Sequence, residues 1–137
     1  MHSLDNILSD LSVLNLKTKN YHWNIKGPRF IFLHELFQKH YEEMDDLIDE
    51  LAEQIKILGG TPLGSMKEYL AKTDLKEAGK NLSEDEMLKD LLKDHKHIVH
   101  ALKEVIINYD EEPGAQDMLT ELLRFHEKSV WMIESHL

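Results

Sequence analysis

The 137-residue chain contains no cysteine, which excludes a disulfide framework, thiolate metal ligands and a cysteine nucleophile. It also lacks any apolar run near the roughly 18 residues that a membrane-spanning helix needs. The opening Met1-His2-Ser3-Leu4-Asp5-Asn6 has no basic stretch leading into an apolar one. No targeting segment is read there, and a cytoplasmic location is expected. Basic residues are the minority, 16 Lys and Arg against 26 Asp and Glu, for a formal net charge of −10. Sequence-independent nucleic-acid binding rests on clustered Lys and Arg, so this balance argues against it and leaves cations as the natural partners. Glycine and proline are scarce as well, six and three, so the chain has few places to turn. What it has is 42% apolar residues interleaved with 31% charged ones. That is material for one packed domain over residues 1–137, and too apolar for a disordered chain.

The few glycines and prolines cluster into breaks at Lys26-Gly27-Pro28, at Gly59-Gly60-Thr61-Pro62-Leu63-Gly64, from Gly79 to Asn81, and at Pro113-Gly114. A glycine closing a periodic stretch, with proline near it, is a helix stop. Between breaks the apolar residues follow helical spacing. The first segment carries Leu4, Ile7, Leu8, Leu11, Leu14, Thr18, Tyr21 and Ile25; the second runs from Phe30 through Phe37, Met44 and Leu51 to Leu58. The third opens on the capping box Ser83-Glu84-Asp85-Glu86 and continues through Leu88, Leu91, His95, Ile98 and Leu102. The fourth holds Met118, Leu119, Leu122, His126, Val130 and Ile133. No segment alternates with period two. The expected fold class is therefore all-α: a four-helix bundle in which segments one and two, and three and four, form antiparallel pairs. The stretch from Gly59 to Ser83 is longer than a bundle turn needs. It predicts a crossover between parallel second and third helices, with a short extra helix around Met66–Leu70.

His22 lies five residues before Gly27 and His34 six after Pro28, so each sits roughly 8–9 Å along its helix from the same turn. If both face the same way, two imidazoles converge, a ligand type that suits first-row transition metals. For an isolated pair, two satisfied core or surface histidines are the ordinary explanation. On the second helix Asp49 and Glu53 are spaced i, i+4 and project from one face, as a shared metal site or as a solvated acidic face. His34 and Asp49 are 15 residues apart, about 22 Å along one helix. One ion with ligand bonds near 2 Å cannot touch both from one chain. Either the sites are separate, or a second copy packed antiparallel across a two-fold axis brings them together. The intra-bundle di-iron arrangement needs two Glu-x-x-His motifs. The nearest match, Asp94-x-x-His97, occurs once. His97 and His100 form an i, i+3 pair that could make a surface zinc site; an ordinary polar helix face is expected for them and for His95 and His126.

The run Asn20-Tyr21-His22-Trp23-Asn24-Ile25-Lys26-Gly27-Pro28-Arg29-Phe30, followed by Leu33-His34-Glu35, resembles the signature of the Dps mini-ferritins, DNA-binding proteins from starved cells. Asp49-Glu50-Leu51-Ala52-Glu53, the exit Leu58-Gly59-Gly60-Thr61-Pro62 and the late Val130-Trp131-Met132-Ile133-Glu134 are similar too. The resemblance implies a ferritin-like bundle with a short helix in the crossover, assembled as a hollow homododecamer. It implies oxidation of ferrous iron with hydrogen peroxide or dioxygen, storage of ferric mineral inside, and protection from oxidative damage. The implied site lies at a two-fold interface, with His22 and His34 from one chain and Asp49 and Glu53 from its partner. Zinc or manganese could substitute for iron there. Trp23 is similar to the tryptophan beside that site, a radical quencher or electron relay. One position departs: four residues after the second histidine the family commonly has an acid, and this chain has Gln38. A neutral amide adds no charge, which weakens a second iron position.

The stretch Asp110-Glu111-Glu112 to Asp117, with Glu121 beyond, resembles the acidic region that guides cations through three-fold pores in the family, with a solvated loop as the alternative. DNA binding in some members depends on a Lys-rich tail. The first Lys here is Lys17, so no appreciable DNA binding is expected. The competing expectation is a non-enzymatic structural or DNA-protecting shell with a weakened metal site. A third is a monomeric helical binding module whose apolar stripes are all satisfied within one bundle.

Overall fold

Serine side-chain caps set where three of the helices begin. Residues 3–137 are described in a computed structural model, with no strand among them. Helix α1 (Leu4–Asn24) starts at Ser3, whose hydroxyl accepts from the Asn6 amide while the Asn6 side chain accepts from the Ser3 amide. Helix α2 spans Phe30–Ile57. The short α3 (Met66–Lys72) is capped by Ser65, and it stands where the crossover helix was expected. Helix α4 (Glu84–Ile106) opens on the anticipated box, with Ser83 and Glu86 satisfying each other's backbone amides. Helix α5 covers Pro113–Glu134. Here one expectation is corrected. Pro113 and Gly114 are not a break but the first residues of α5; the break is a 3-10 turn, Ile107–Tyr109, with Asp110–Glu112 after it. Proline at the first helical position gives up no backbone bond, because that N–H has no partner inside the helix.

The pairing of side chains fixes the topology. His22 meets His34 and Asn15 meets Tyr41 and Asp45, so α1 and α2 are antiparallel. Asp10 faces His97, while Lys17 faces Asp94 and Asp90, so α4 also runs against α1 and therefore parallel to α2. Helix α5 packs on α4 and α2, and α1 on α2, α3 and α4. The core is a continuous apolar cluster that includes Leu8, Leu14, Phe37, Met44, Leu88, Ile98 and Leu122.

Helix α1 lies under three neighbours, and its buried face is partly polar. Asp10, Asn15, Lys17 and Thr18 are all buried. Each has a partner: Asp10 accepts from Thr73, Asn15 donates to the Tyr41 carbonyl and Thr18 to the Leu14 carbonyl. The Lys17 ammonium sits 2.5 Å from Asp94 and 2.9 Å from Asp90. Asp94 is thus committed to Lys17 and does not act with His97 as a metal pair.

A second correction concerns His95 and His126. Neither lies on a polar face; both are wholly buried, joined through their Nδ1 atoms at 2.8 Å, beside the buried His40 and against Phe125. One Nδ1 must donate and the other accept, so the two rings are opposite tautomers. Burial holds all three in the neutral form: His40 is lowered to about 4 and His126 to about 3, chiefly by desolvation, and His95 falls well below the ordinary histidine value for the same reason.

Candidate metal centre

The hairpin between α1 and α2 positions the two sequence-predicted histidines. Gly27 has φ +141°, and a Cβ there would lie 2.6–2.9 Å from the Glu84 carboxyl group. That carboxylate accepts from the Arg29 amide at 2.8 Å, and the Arg29 guanidinium reaches Asp85 at 2.6 Å and the His136 carbonyl at 2.8 Å. The turn is therefore tied to the start of α4 and to the end of the chain.

With the turn held, His22 in the last turn of α1 and His34 in the second turn of α2 stack, ring centroids 3.8 Å apart and planes 13° from parallel. Their Nδ1 atoms are used reciprocally: His22 Nδ1 donates to the His34 carbonyl and His34 Nδ1 to the His22 carbonyl, each at 2.7 Å. A carbonyl only accepts, so both Nδ1 atoms carry the proton. In the neutral imidazole each Nε2 then keeps its lone pair for a ligand, the arrangement that orients metal-binding histidines. Phe30 stacks on His34 at 4.9 Å and Tyr41 meets the His22 ring edge-on at 5.3 Å, which immobilises the pair. Trp23 is 63% exposed.

Asp49 and Glu53 are exposed on one face of α2. Within one chain the structure does not bring them to the histidines. Among the described residues, the group whose possible ligand atoms do converge in a single chain is a different one, Asp10, Asp74 and His97. Gln38 is exposed, one turn beyond His34, and donates to the Glu42 carboxylate at 2.8 Å.

Sequence reasoning placed acids on α2 and others near the start of α5 without joining them. The structure opens a groove between these helices, lined by Glu43, Asp46 and Glu50 from α2 and by Asp117, Glu121, Arg124 and Lys128 from α5. The carboxyl of Glu50 is raised, first by Glu121, then by desolvation and its α2 neighbours. Crowding of like charge makes this groove a place where a cation relieves repulsion. The helical spacing of each set was visible in the sequence; their apposition was not. Asp110, Glu111 and Glu112 are exposed in the turn before α5.

No described helix is long and apolar enough to cross a membrane. The family of ferritin-like domains matches residues 1–137. The DNA protection during starvation protein 2 of Bacillus anthracis is 37% identical over 137 residues, covering 98% of this chain and 93% of its own. The crystal structure of Dps from Staphylococcus aureus superposes with a TM-score of 0.94 at 33% identity, over 98% of this chain and 91% of the other. The DPS protein of Vibrio cholerae O1, described as a member of a broad superfamily of ferritin-like diiron-carboxylate proteins, gives 0.91 at 30% identity over 96% and 84%.

Proposed function

The chain belongs to the ferritin-like domain family and, within it, to the Dps proteins, and from that membership we propose that it is a ferroxidase and iron-storage mini-ferritin. In this reading ferrous iron is the substrate, each site is completed across a two-fold interface, and ferric mineral collects inside a dodecameric cage. The observation that carries it is the His22–His34 stack, with both Nδ1 protons held by backbone carbonyls and both Nε2 atoms left to bind. The reciprocal bonds fix the tautomer and direction of both rings, as partners of metal-binding histidines do.

Asp49 and Glu53 of a partner subunit supply the anionic half of the site. Carboxylates stabilise the ferric product more than the ferrous reactant, so they favour loss of the electron. Two ferrous ions each give one electron to hydrogen peroxide; the O–O bond breaks, and two protons complete two waters. Removing both reactants protects the cell from their radical chemistry. Trp23, exposed and next to His22 in the sequence, would intercept a stray oxidant in this reading. The α2–α5 groove gives the oxidised ions a carboxylate-lined surface.

The test is to add ferrous iron and peroxide to the purified protein and measure the oxidation rate and the iron retained per particle. The double variant His34→Ala/Asp49→Ala should slow oxidation at least ~100-fold while the particle still assembles; an unchanged rate would place the site elsewhere. One observation favours the second reading, a shell with a weakened site. Gln38 is neutral and its amide is engaged by Glu42, so that position offers no free carboxylate. Wild-type protein that neither accelerates oxidation nor retains iron would establish that reading instead.

A further inference from the structure

We propose that Asp10, Asp74 and His97 form a second metal site, distinct from the His22–His34 pair, which takes a tetrahedral divalent ion of zinc type and clamps the crossover onto the bundle. The three residues come from separate elements: α1, the segment just after α3, and α4. Their ligand atoms lie within 4.8 Å of one another. His97 Nε2 is 3.5 Å from Asp10 Oδ2 and 3.4 Å from Asp74 Oδ2. Bonds of about 2.0–2.2 Å to a tetrahedral ion set its ligands about 3.4 Å apart, which is the spacing of both His97 contacts. Direct charge-assisted hydrogen bonds would close to about 2.7–2.9 Å, and a single ring N–H cannot serve two carboxylates at once.

A second observation is independent of these distances. Asp10 is wholly buried, and its two oxygens are treated unequally. Oδ1 accepts from the Thr73 hydroxyl at 2.6 Å and from the Asp74 amide at 2.9 Å. Oδ2, on the side of His97, accepts no hydrogen bond. A buried carboxylate oxygen left this way is costly; a cation at that point removes the cost. Thr73 and the Asp74 amide meanwhile hold Oδ1, so the direction of Oδ2 is set in advance, as outer partners do at metal sites. Desolvation raises the Asp10 carboxyl above the usual range, and a bound cation would reverse that. Asp74 and His97 are 45% and 32% exposed, so an ion can arrive from solvent and keep a water as its fourth ligand. One imidazole with two carboxylates suits zinc better than calcium or magnesium. Asp10 precedes His22 by 12 residues, about 18 Å along α1, which separates this site from the proposed ferroxidase centre.

The probe is cobalt(II), added to chelator-stripped assembled protein in which His34→Ala and Asp49→Ala have removed two of the four ligands of the proposed ferroxidase site. The expected result is one ion per subunit with the intense visible bands of tetrahedral cobalt and a raised thermal midpoint. Adding His97→Ala or Asp74→Asn should abolish the bands, and Thr73→Val should weaken binding by roughly 10–100-fold. As a check that needs no altered ferroxidase ligands, His97→Ala alone should lower the bound cobalt by one per subunit and leave ferrous oxidation at the wild-type rate. Absence of tetrahedral bands, bands that persist in His97→Ala, or an oxidation rate that falls with His97→Ala would each overturn the proposal.

Discussion

Gly27 shows how much of the site depends on a residue with no chemistry of its own. Its φ of +141° is a conformation that side chains disfavour, and the space a Cβ would need is taken by the Glu84 carboxyl group. Gly27→Ala should cost about 1–3 kcal/mol of stability, read as a lower urea midpoint. The same substitution should slow iron oxidation, since it loosens the turn that stacks His22 on His34. An unchanged midpoint would mean that Glu84 moves aside freely. The sequence marked Gly27 as punctuation but gave no sign of what packs against it, because Glu84 is 57 residues away. Gln38 is the reverse case. Its departure from the family's acid was legible at once, whereas its partner Glu42 needed the helix to be built.

At the scale of elements, three helices each contribute a buried histidine: His40 from α2, His95 from α4 and His126 from α5. His95 and His126 were read as members of the apolar rows and then weighed as polar surface; the apolar spacing was the better guide, since neutral imidazole packs against Phe125 without a charge to solvate. The pH dependence follows from their lowered pKa values, about 4 for His40, about 3 for His126 and well below the ordinary value for His95. Unfolded histidines take up protons from about pH 6.5 downward, while these three remain neutral in the folded chain. Their contribution to stability is thus complete above that pH and is lost progressively as pH falls toward 4. Each contributes a slope of about 1.4 kcal/mol per pH unit. Urea midpoints measured at fixed protein concentration between pH 7.5 and 5 should therefore fall steeply, and His40→Leu should make the decline shallower. A flat profile would show that the three rings can be protonated in place.

At the scale of the whole molecule, the net charge of −10 gains meaning from where it sits. Acids from α2 and α5 face one another across a single groove, and in a twelve-subunit particle the total would be roughly −120 by multiplication, a strong attraction for cations. The same field repels a phosphate backbone. In a gel-shift with plasmid DNA at about 0.15 M salt, no retention is expected. Retention that weakens as salt rises would show a basic surface that the charge balance does not suggest. Family membership, by contrast, was legible across the whole chain, because the His22–Lys26 block, the Asp49–Glu53 block and the glycine-rich exit are contiguous runs.

The sequence by itself determined the number of helices, the capping box at Ser83 and the crossover helix. These are consequences of spacing along one chain, the hydrophobic period and the capping residues; the 15-residue separation of His34 and Asp49 left two separate sites or a second subunit as alternatives. Only the tertiary structure decided which polar residues of α1 are buried, that three histidines meet in the core, and that Asp10, Asp74 and His97 share one point. The reason is physical. Such groups meet through contacts between residues as much as 87 positions apart, and a buried polar side chain looks the same in sequence as a solvated one until its partner is in place.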